Sequence, residues 1–243
     1  MKILVCISHV PDTTAKIEFT GNALKKDQIK FVIGPYDDYA LARAVELKEA
    51  HQAHVTVLHV GPAETEQTLR QAIAIGADDA IRVDAEPTDA FFVAQQIAHI
   101  VKSDGYDLVL MGREASDHNG SQVHGMVAEL LDWPSITPCM QLDIEGDTAK
   151  MAREIEGGKE YLTCKLPFVA GCQEPIAEWK IPNMRGIMMA RRKPLKVVAP
   201  VDVAQQLEVL TYETPAQRSA CTMIEADQID ELVRRLKEEA KVL

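Results

Sequence analysis

Four short apolar runs, at residues 3–7, 55–60, 80–83 and 108–111, are separated by three stretches of helical periodicity. That alternation leaves few architectures open. Runs this short and, Arg82 apart, this free of charge read as strands buried on both faces. Between them, residues 37–50 carry Leu41, Ala44, Val45 and Lys48 on one stripe, and residues 64–75 carry Leu69, Ala72 and Ile73, with Gly76 as a C-terminal stop. A third helix, with Thr88 as its candidate cap, turns Val93, Ile97, Ile100 and Val101 to one side. The order predicts a doubly wound, mostly parallel α/β sheet whose ligands bind beyond the carboxyl ends of its strands.

After residue 131 the rhythm changes. Residues 143–172 carry strand-like stretches broken at Glu145-Gly146-Asp147 and Glu156-Gly157-Gly158, which predicts antiparallel hairpins. Residues 174–200 hold four prolines and the basic cluster Arg191-Arg192-Lys193, and read as an extended loop or arm. Helical periodicity returns at 228–241 through Ile229, Leu232, Val233 and Leu236. The expected division is an α/β domain, hairpins included, at 1–200 and a C-terminal arm and helix at 201–243.

Bulk properties exclude several classes. A formal charge of −11 spread along 243 residues argues against nucleic acid, whose affinity needs a basic face. Five widely spaced cysteines without a Cys-x-x-Cys pair point to reduced thiols and a cytoplasmic setting. The first apolar stretch is too short for a signal sequence, and no run approaches the roughly 20 residues of a membrane span. Ser116, Asp117 and His118 are consecutive, so they do not converge as a triad, and no Gly-x-Ser-x-Gly elbow surrounds the serine. His9, His118 and His124 lack metal-ligand spacing, and neither Gly-x-Gly-x-x-Gly nor the Walker lysine motif is present.

What remains is a set of strand ends. Residues 112–123 form a polar loop entering a helix marked by Val123, Met126, Val127, Leu130 and Leu131. A helix N-terminus after a strand offers unpaired N–H groups and a positive dipole end to a phosphate or carboxylate. Gly112 and Gly120 permit close approach, and Ser116 and Ser121 add hydroxyls. A doubly wound sheet brings this loop to the segment from Cys6 to Val10, to Gly34-Pro35-Tyr36-Asp37 and to Val60-Gly61 at the crevice where strand order reverses. Tyr36 can pack on a base and Asp37 can bind a base amino group; the same residues also make an ordinary turn with an N-cap. Residues 181–194 place Met184, Met188 and Met189 beside four positive charges, with Lys180 just before them, a pattern suited to an adaptable protein contact, or, for Met188 and Met189, to core filling.

Several blocks together resemble the beta subunit of electron transfer flavoproteins over nearly the whole chain. They are Val10-Pro-Asp-Thr-Thr, Gly34-Pro-Tyr-Asp-Asp-Tyr-Ala-Leu, Gly61-Pro-Ala-Glu, Gly76-Ala-Asp-Asp-Ala, Arg153-Glu-Ile-Glu-Gly-Gly, Lys165-Leu-Pro and Gly186-Ile-Met-Met-Ala-Arg-Arg-Lys-Pro. The resemblance implies an electron-carrier subunit, not an enzyme by itself, in a heterodimer with an alpha subunit that holds most of an FAD. It implies a structural AMP in the beta-chain crevice, or a second, NADH-oxidising FAD there in bifurcating members. Cofactor contacts then fall at Cys6, Gly34, Pro35, Tyr36, Asp37, Val60, Gly112, Arg113, Ser116, Asp117, Asn119, Gly120, Ser121, Gln122 and Val123. Partner contacts fall at Glu154, facing the FAD-bearing domain of the alpha subunit, and at Met184, Arg185, Ile187 and Met188, facing a donor. The donors implied are acyl-CoA-type dehydrogenases and the acceptor a quinone oxidoreductase, in fatty acid beta-oxidation. Gly34 stands where asparagine is usual, Met184-Arg185 where Leu-Pro is common, and His118 and His124 where small or acidic residues surround the phosphate loop. The rival reading is a stand-alone nucleotide-binding regulator of the same α/β type, resembling a universal stress protein, which explains the crevice but neither the hairpins nor the methionine-rich arm.

Overall fold

The computed structural model describes residues 1–21, 23–87, 89–213, 216 and 221–243. In chain order its elements are β1 (Lys2–Cys6), β2 (His9–Pro11), β3 (Phe19–Thr20), β4 (Ala23–Leu24), β5 (Phe31–Ile33), α1 (Pro35–His51), β6 (His54–Val60), a 3-10 turn (Ala63–Thr65), α2 (Glu66–Ile75), β7 (Asp79–Val83), α3 (Ala90–Asp104) and β8 (Leu108–Gly112). There follow α4 (Val123–Leu131), β9 (Ser135–Glu145), β10 (Thr148–Ile155), β11 (Gly158–Lys165), β12 (Phe168–Cys172), α5 (Met184–Ala190), β13 (Leu195–Val198) and α6 (Ile229–Glu238).

Nine strands make one sheet in the order β11-β10-β9-β12-β8-β1-β6-β7-β13. From β9 to β13 every pairing is parallel; β10 and β11 add an antiparallel edge. The fold is the doubly wound, mostly parallel α/β sheet that the alternating runs predict, with the hairpins on one side. Strand alternation sorts the core into two layers. Ile3, Val5, Val55, Val57, Leu108 and Leu110 pack with Leu41, Ala44 and Leu69 of α1 and α2. Leu4, Leu58, Ile81, Val83 and Val109 pack with Ile97, Val101 and Val127 of α3 and α4.

Two expectations are corrected. Thr88 lies outside the described residues, and α3 is capped by Asp89, whose carboxylate accepts the Phe92 N–H at 2.7 Å. The stretch 174–200 is not simply an extended arm. It contains α5 and then β13, which pairs with β7 from Leu195 opposite Ala80 to Val198 opposite Val83. Four prolines obscured a strand of only four residues, short enough to fit between Pro194 and Pro200 at a sheet edge.

The chain divides into two compact units, Met1–Leu210 and Thr211–Leu243. In the first, residues 201–207 are tied down by side chains of α3 and its cap. Gln96 bonds both the N–H (2.7 Å) and the carbonyl (2.9 Å) of Val201, and Asp89 accepts the Gln206 N–H at 2.7 Å. In the second, α6 is shorter than the periodicity predicts. It is braced by Arg234 on Glu231 and Glu238, and exposes Ile229, Leu232 and Val233.

Candidate functional site

Strand order reverses between β1 and β8: the chain leaves β1 toward β6 and β7, then returns to β1's other side as β8. The carboxyl ends Cys6 and Gly112 therefore flank the crevice where such folds bind ligands. The N-terminus of α1 enters the same place, with Gly34 at the cap position and Pro35 in the first turn, where its missing N–H costs nothing. Asp37 closes the joint. Its Oδ2 accepts the Ser8 N–H at 2.8 Å and the Ser8 hydroxyl, and its Oδ1 accepts the Gly112 N–H at 2.7 Å. Both carboxylate oxygens are thus engaged within the protein, which turns Asp37 away from the role of binding a base amino group.

This bridge also accounts for Gly34. Its φ of −54° suits any residue, but a Cβ there would overlap the Ser8 hydroxyl and Asp37 Oδ2. The Ser8–Asp37 pair fills the volume that a side chain at 34 would need.

Burial raises the Asp37 pKa to about 6, against the pull of the Ser8 and Gly112 N–H groups; Asp38 beside it is raised to about 7 by burial and by Asp37. The folded Asp37 therefore keeps its proton while the unfolded chain loses its own near the ordinary carboxylate value. Its contribution to stability is largest below about pH 4 and is lost as pH rises toward 6. His59, lowered to about 4 by burial, and His9 and His124, also lowered by burial, act in the opposite sense. The group is isolated by a difference measurement against Asp37→Asn. Urea unfolding at pH 4.5 and 7.5 should show the wild type gaining about 2 kcal/mol on the variant at the lower pH. A pH-independent difference would remove the buried-carboxyl account.

Beyond Gly112 the loop is built around Arg113. Its guanidinium lies 4.9 Å from the Tyr36 ring centroid, so one face of that ring is already covered. Nη2 bonds Glu114 Oε1 at 3.0 Å, and the other Glu114 oxygen accepts the Ser121 hydroxyl at 2.5 Å. Ser116 is half-buried, and Asp117, Asn119, Gly120, Ser121 and Gln122 form an exposed rim. Asn119 and Ser121 both sit at φ 48°. No side chain caps α4, so the first-turn N–H groups from Val123 onward have no acceptor inside the helix. These donors, with Arg113 balanced by Glu114, suit an anionic phosphate group at the loop.

Cys6 and Val60 are core side chains beneath the crevice. His124 is buried against the sheet, its Nε2 3.4 Å from the Thr137 hydroxyl and its ring over Gly171, where a Cβ would come within 2.9 Å. Its Nδ1 has no hydrogen-bond partner among the described residues. The imidazole thus packs into the sheet rather than projecting into the loop.

Gln173, just past β12, connects this loop to the hairpins. Its Oε1 accepts from Arg113 Nη1 at 2.9 Å, and its Nε2 donates to Glu154 Oε2 at 2.7 Å. Ser8, Glu114 and Gln173 are the residues that sequence reasoning missed. Ser8 and Glu114 lie inside segments that were singled out, whereas Gln173 becomes visible only when β12 is known to lie beside β8.

The basic, methionine-rich segment forms α5, capped by Asn183, which accepts the Gly186 N–H at 2.8 Å. Met184, Met188 and Met189 are 74%, 68% and 49% exposed, which excludes core filling, and Ile187 and Arg185 are exposed beside them. Arg70 of α2 donates to the Ala190 and Lys193 carbonyls, both at 2.7 Å, and Lys193 Nζ reaches the Ala77 carbonyl at 2.6 Å. Lys193 is therefore a structural anchor rather than a solvated charge.

Residues 23–203 match the sequence model of the Electron transfer flavoprotein domain. The chain is 33% identical over 257 residues to the electron transfer flavoprotein subunit beta of Bacillus subtilis, with both chains covered in full. It is 34% identical over 254 residues to the protein of that name from Homo sapiens, covering all of this chain and 99% of the other, and 34% identical over 251 residues to that from Bradyrhizobium diazoefficiens, with full coverage of both. This chain belongs to the electron transfer flavoprotein family, among its beta subunits.

Proposed function

We propose that this chain is the small subunit of a cytoplasmic electron carrier, paired with an alpha subunit that holds most of an FAD, and that its own crevice holds AMP as a structural ligand. The flavin supplies the redox chemistry and this chain supplies placement. Electrons then come from acyl-CoA-type dehydrogenases that dock on α5 and pass to a quinone oxidoreductase. The observation that supports this reading most directly is the crevice at the β1/β8 reversal, where Gly112, Tyr36, Arg113 and the uncapped start of α4 converge. Five free cysteines agree with a reducing compartment. Among the described residues no helix is long and apolar enough to cross a membrane. Residues 201–243 are assigned to the arm that packs on the alpha subunit.

Cofactor stoichiometry of the co-expressed pair tests the assignment. One FAD and one AMP per heterodimer is the expected result. Two FAD and no AMP would instead make this the bifurcating, NADH-oxidising type, and a flavin-free homodimer that binds nucleotide would make it a stand-alone regulator.

Donor docking has its own test. Met184 opens α5 and is largely exposed, the position of an anchor residue. Met184→Ala should lower kcat/KM for reduction by the donor dehydrogenase about tenfold, the effect of truncating one interface anchor. FAD and AMP content should stay unchanged. Reduction at the wild-type rate would refute the anchor.

A further inference from the structure

We propose that Gln173 is a positioning residue that couples ligand occupancy of the crevice loop to the Glu154 carboxylate on β10. The inference rests on the nucleotide reading of that loop and extends it. Five side chains form one continuous polar chain. Ser121 donates to Glu114, Arg113 donates to Glu114 and to Gln173, and Gln173 donates to Glu154. The ends of this chain lie in different elements, one at the threshold of α4 and the other on the antiparallel hairpin.

Backbone geometry fixes the middle of the chain. The Arg113 N–H bonds the Cys172 carbonyl at 2.9 Å and the Gln173 N–H bonds the Cys139 carbonyl at 3.0 Å, so neither residue can drift. Gln173 is 7% exposed, and both ends of its amide are engaged. The amide also has only one acceptable orientation. Flipping it would turn NH₂ toward a guanidinium and C=O toward a carboxylate, two like-polarity contacts. A glutamine between a cation and an anion is thus a directional link, oriented by the charges on either side.

Arg113 is the one lysine or arginine of the 112–123 loop, and it is shared. A phosphate at the loop draws the guanidinium toward itself, while Glu154, acting through Gln173, draws it toward the hairpin. Two sites that compete for one cation are coupled, and the coupling is reciprocal. Neutralising Glu154 should therefore tighten anion binding at the loop, and the effect should need Gln173.

The test uses the intact heterodimer and AMP as probe, read as the rate of AMP release into excess unlabelled nucleotide. Glu154→Gln should slow release about three- to tenfold. In a Gln173→Leu background the same change should alter release less than about 1.5-fold. Gln173→Met keeps the unbranched length of the side chain and removes both hydrogen bonds, so it should abolish the coupling as well, in a second background of different packing. Coupling of equal size in all three backgrounds would overturn the role of Gln173, since it would then act only through space. No effect of Glu154→Gln on release would overturn it too. A wild-type pair that holds no AMP would bring down the nucleotide reading and this inference together, whereas bound AMP with independent effects brings down only the coupling.

Discussion

Replacing Gly112 with alanine should destabilise the chain by about 3 kcal/mol or more, lowering its melting temperature by roughly 10 °C. The new Cβ would lie 2.6 Å from Asp37 Oδ1, 2.7 Å from the Tyr36 Cβ and 2.9 Å from the Asp37 backbone nitrogen. None of these is the far end of a flexible side chain. The Asp37 carboxylate is pinned by Ser8 and by Gly112 itself, and the Asp37 nitrogen belongs to the first turn of α1. Relief requires α1 to retreat from β8, which breaks the carboxylate bridge and strands buried N–H donors, each costing about 1–3 kcal/mol. Gly125, thirteen residues on, provides the contrast. A Cβ there meets nothing within 4 Å, and the residue lies inside α4. Gly125→Ala should raise stability by about 0.5–1 kcal/mol through helix propensity. Thermal unfolding of both variants checks the pair. A Gly112→Ala protein as stable as Gly125→Ala would show that the crevice floor is not closed by Asp37.

The difference between these two glycines also shows what the sequence made legible. The doubly wound class was readable because four short, mainly apolar runs alternate with helical stripes, and a doubly wound sheet buries both faces of such strands. The convergence of residues 6, 34–37, 60 and 112–123 followed from that topology alone. The use of Asp37 did not. A carboxylate after Gly-Pro-Tyr caps a helix, binds a ligand or bridges two strand ends, and the choice depends on Ser8 lying opposite, which no local pattern reports. His124 was misleading for a similar reason. Its place one residue into a helix put it near the phosphate loop in sequence, but helical rotation turns its ring onto Gly171 and Thr137. Gln173 was invisible because its partners are 60 and 19 residues away, on strands whose adjacency is set by the crossing of β12 beside β8. In the basic segment, prolines correctly marked an interrupted chain, but a seven-residue helix and a four-residue strand fell below the length at which periodicity can be read.

If the donor docks on α5 as proposed, Gly186→Ala should lower kcat/KM for reduction by that donor about 30-fold or more while cofactor content stays at the wild-type level. Gly186 lies in α5, where an alanine has the better intrinsic propensity by about 1 kcal/mol, so a purely local effect would be favourable. Its position forbids that gain. The added Cβ would overlap the carbonyl oxygen of Ala74, a backbone atom near the end of α2. That end cannot yield, because Leu69, Ala72 and Ile73 are core residues and Arg70 is fastened to the Ala190 and Lys193 carbonyls. The shift must be taken by α5, and those same bonds hold its C-terminal end. The helix therefore pivots at its N-terminal end, which carries Met184, Ile187 and Met188. Met184→Ala removes one contact, whereas Gly186→Ala misplaces all three, hence the larger loss. Because α5 lies outside both core layers apart from Ala190, global stability should fall by only about 1–2 kcal/mol. Steady-state reduction by an acyl-CoA-type dehydrogenase, measured beside the unfolding midpoint, separates the two effects. A variant reduced at the wild-type rate would show that this helix is not where the donor docks.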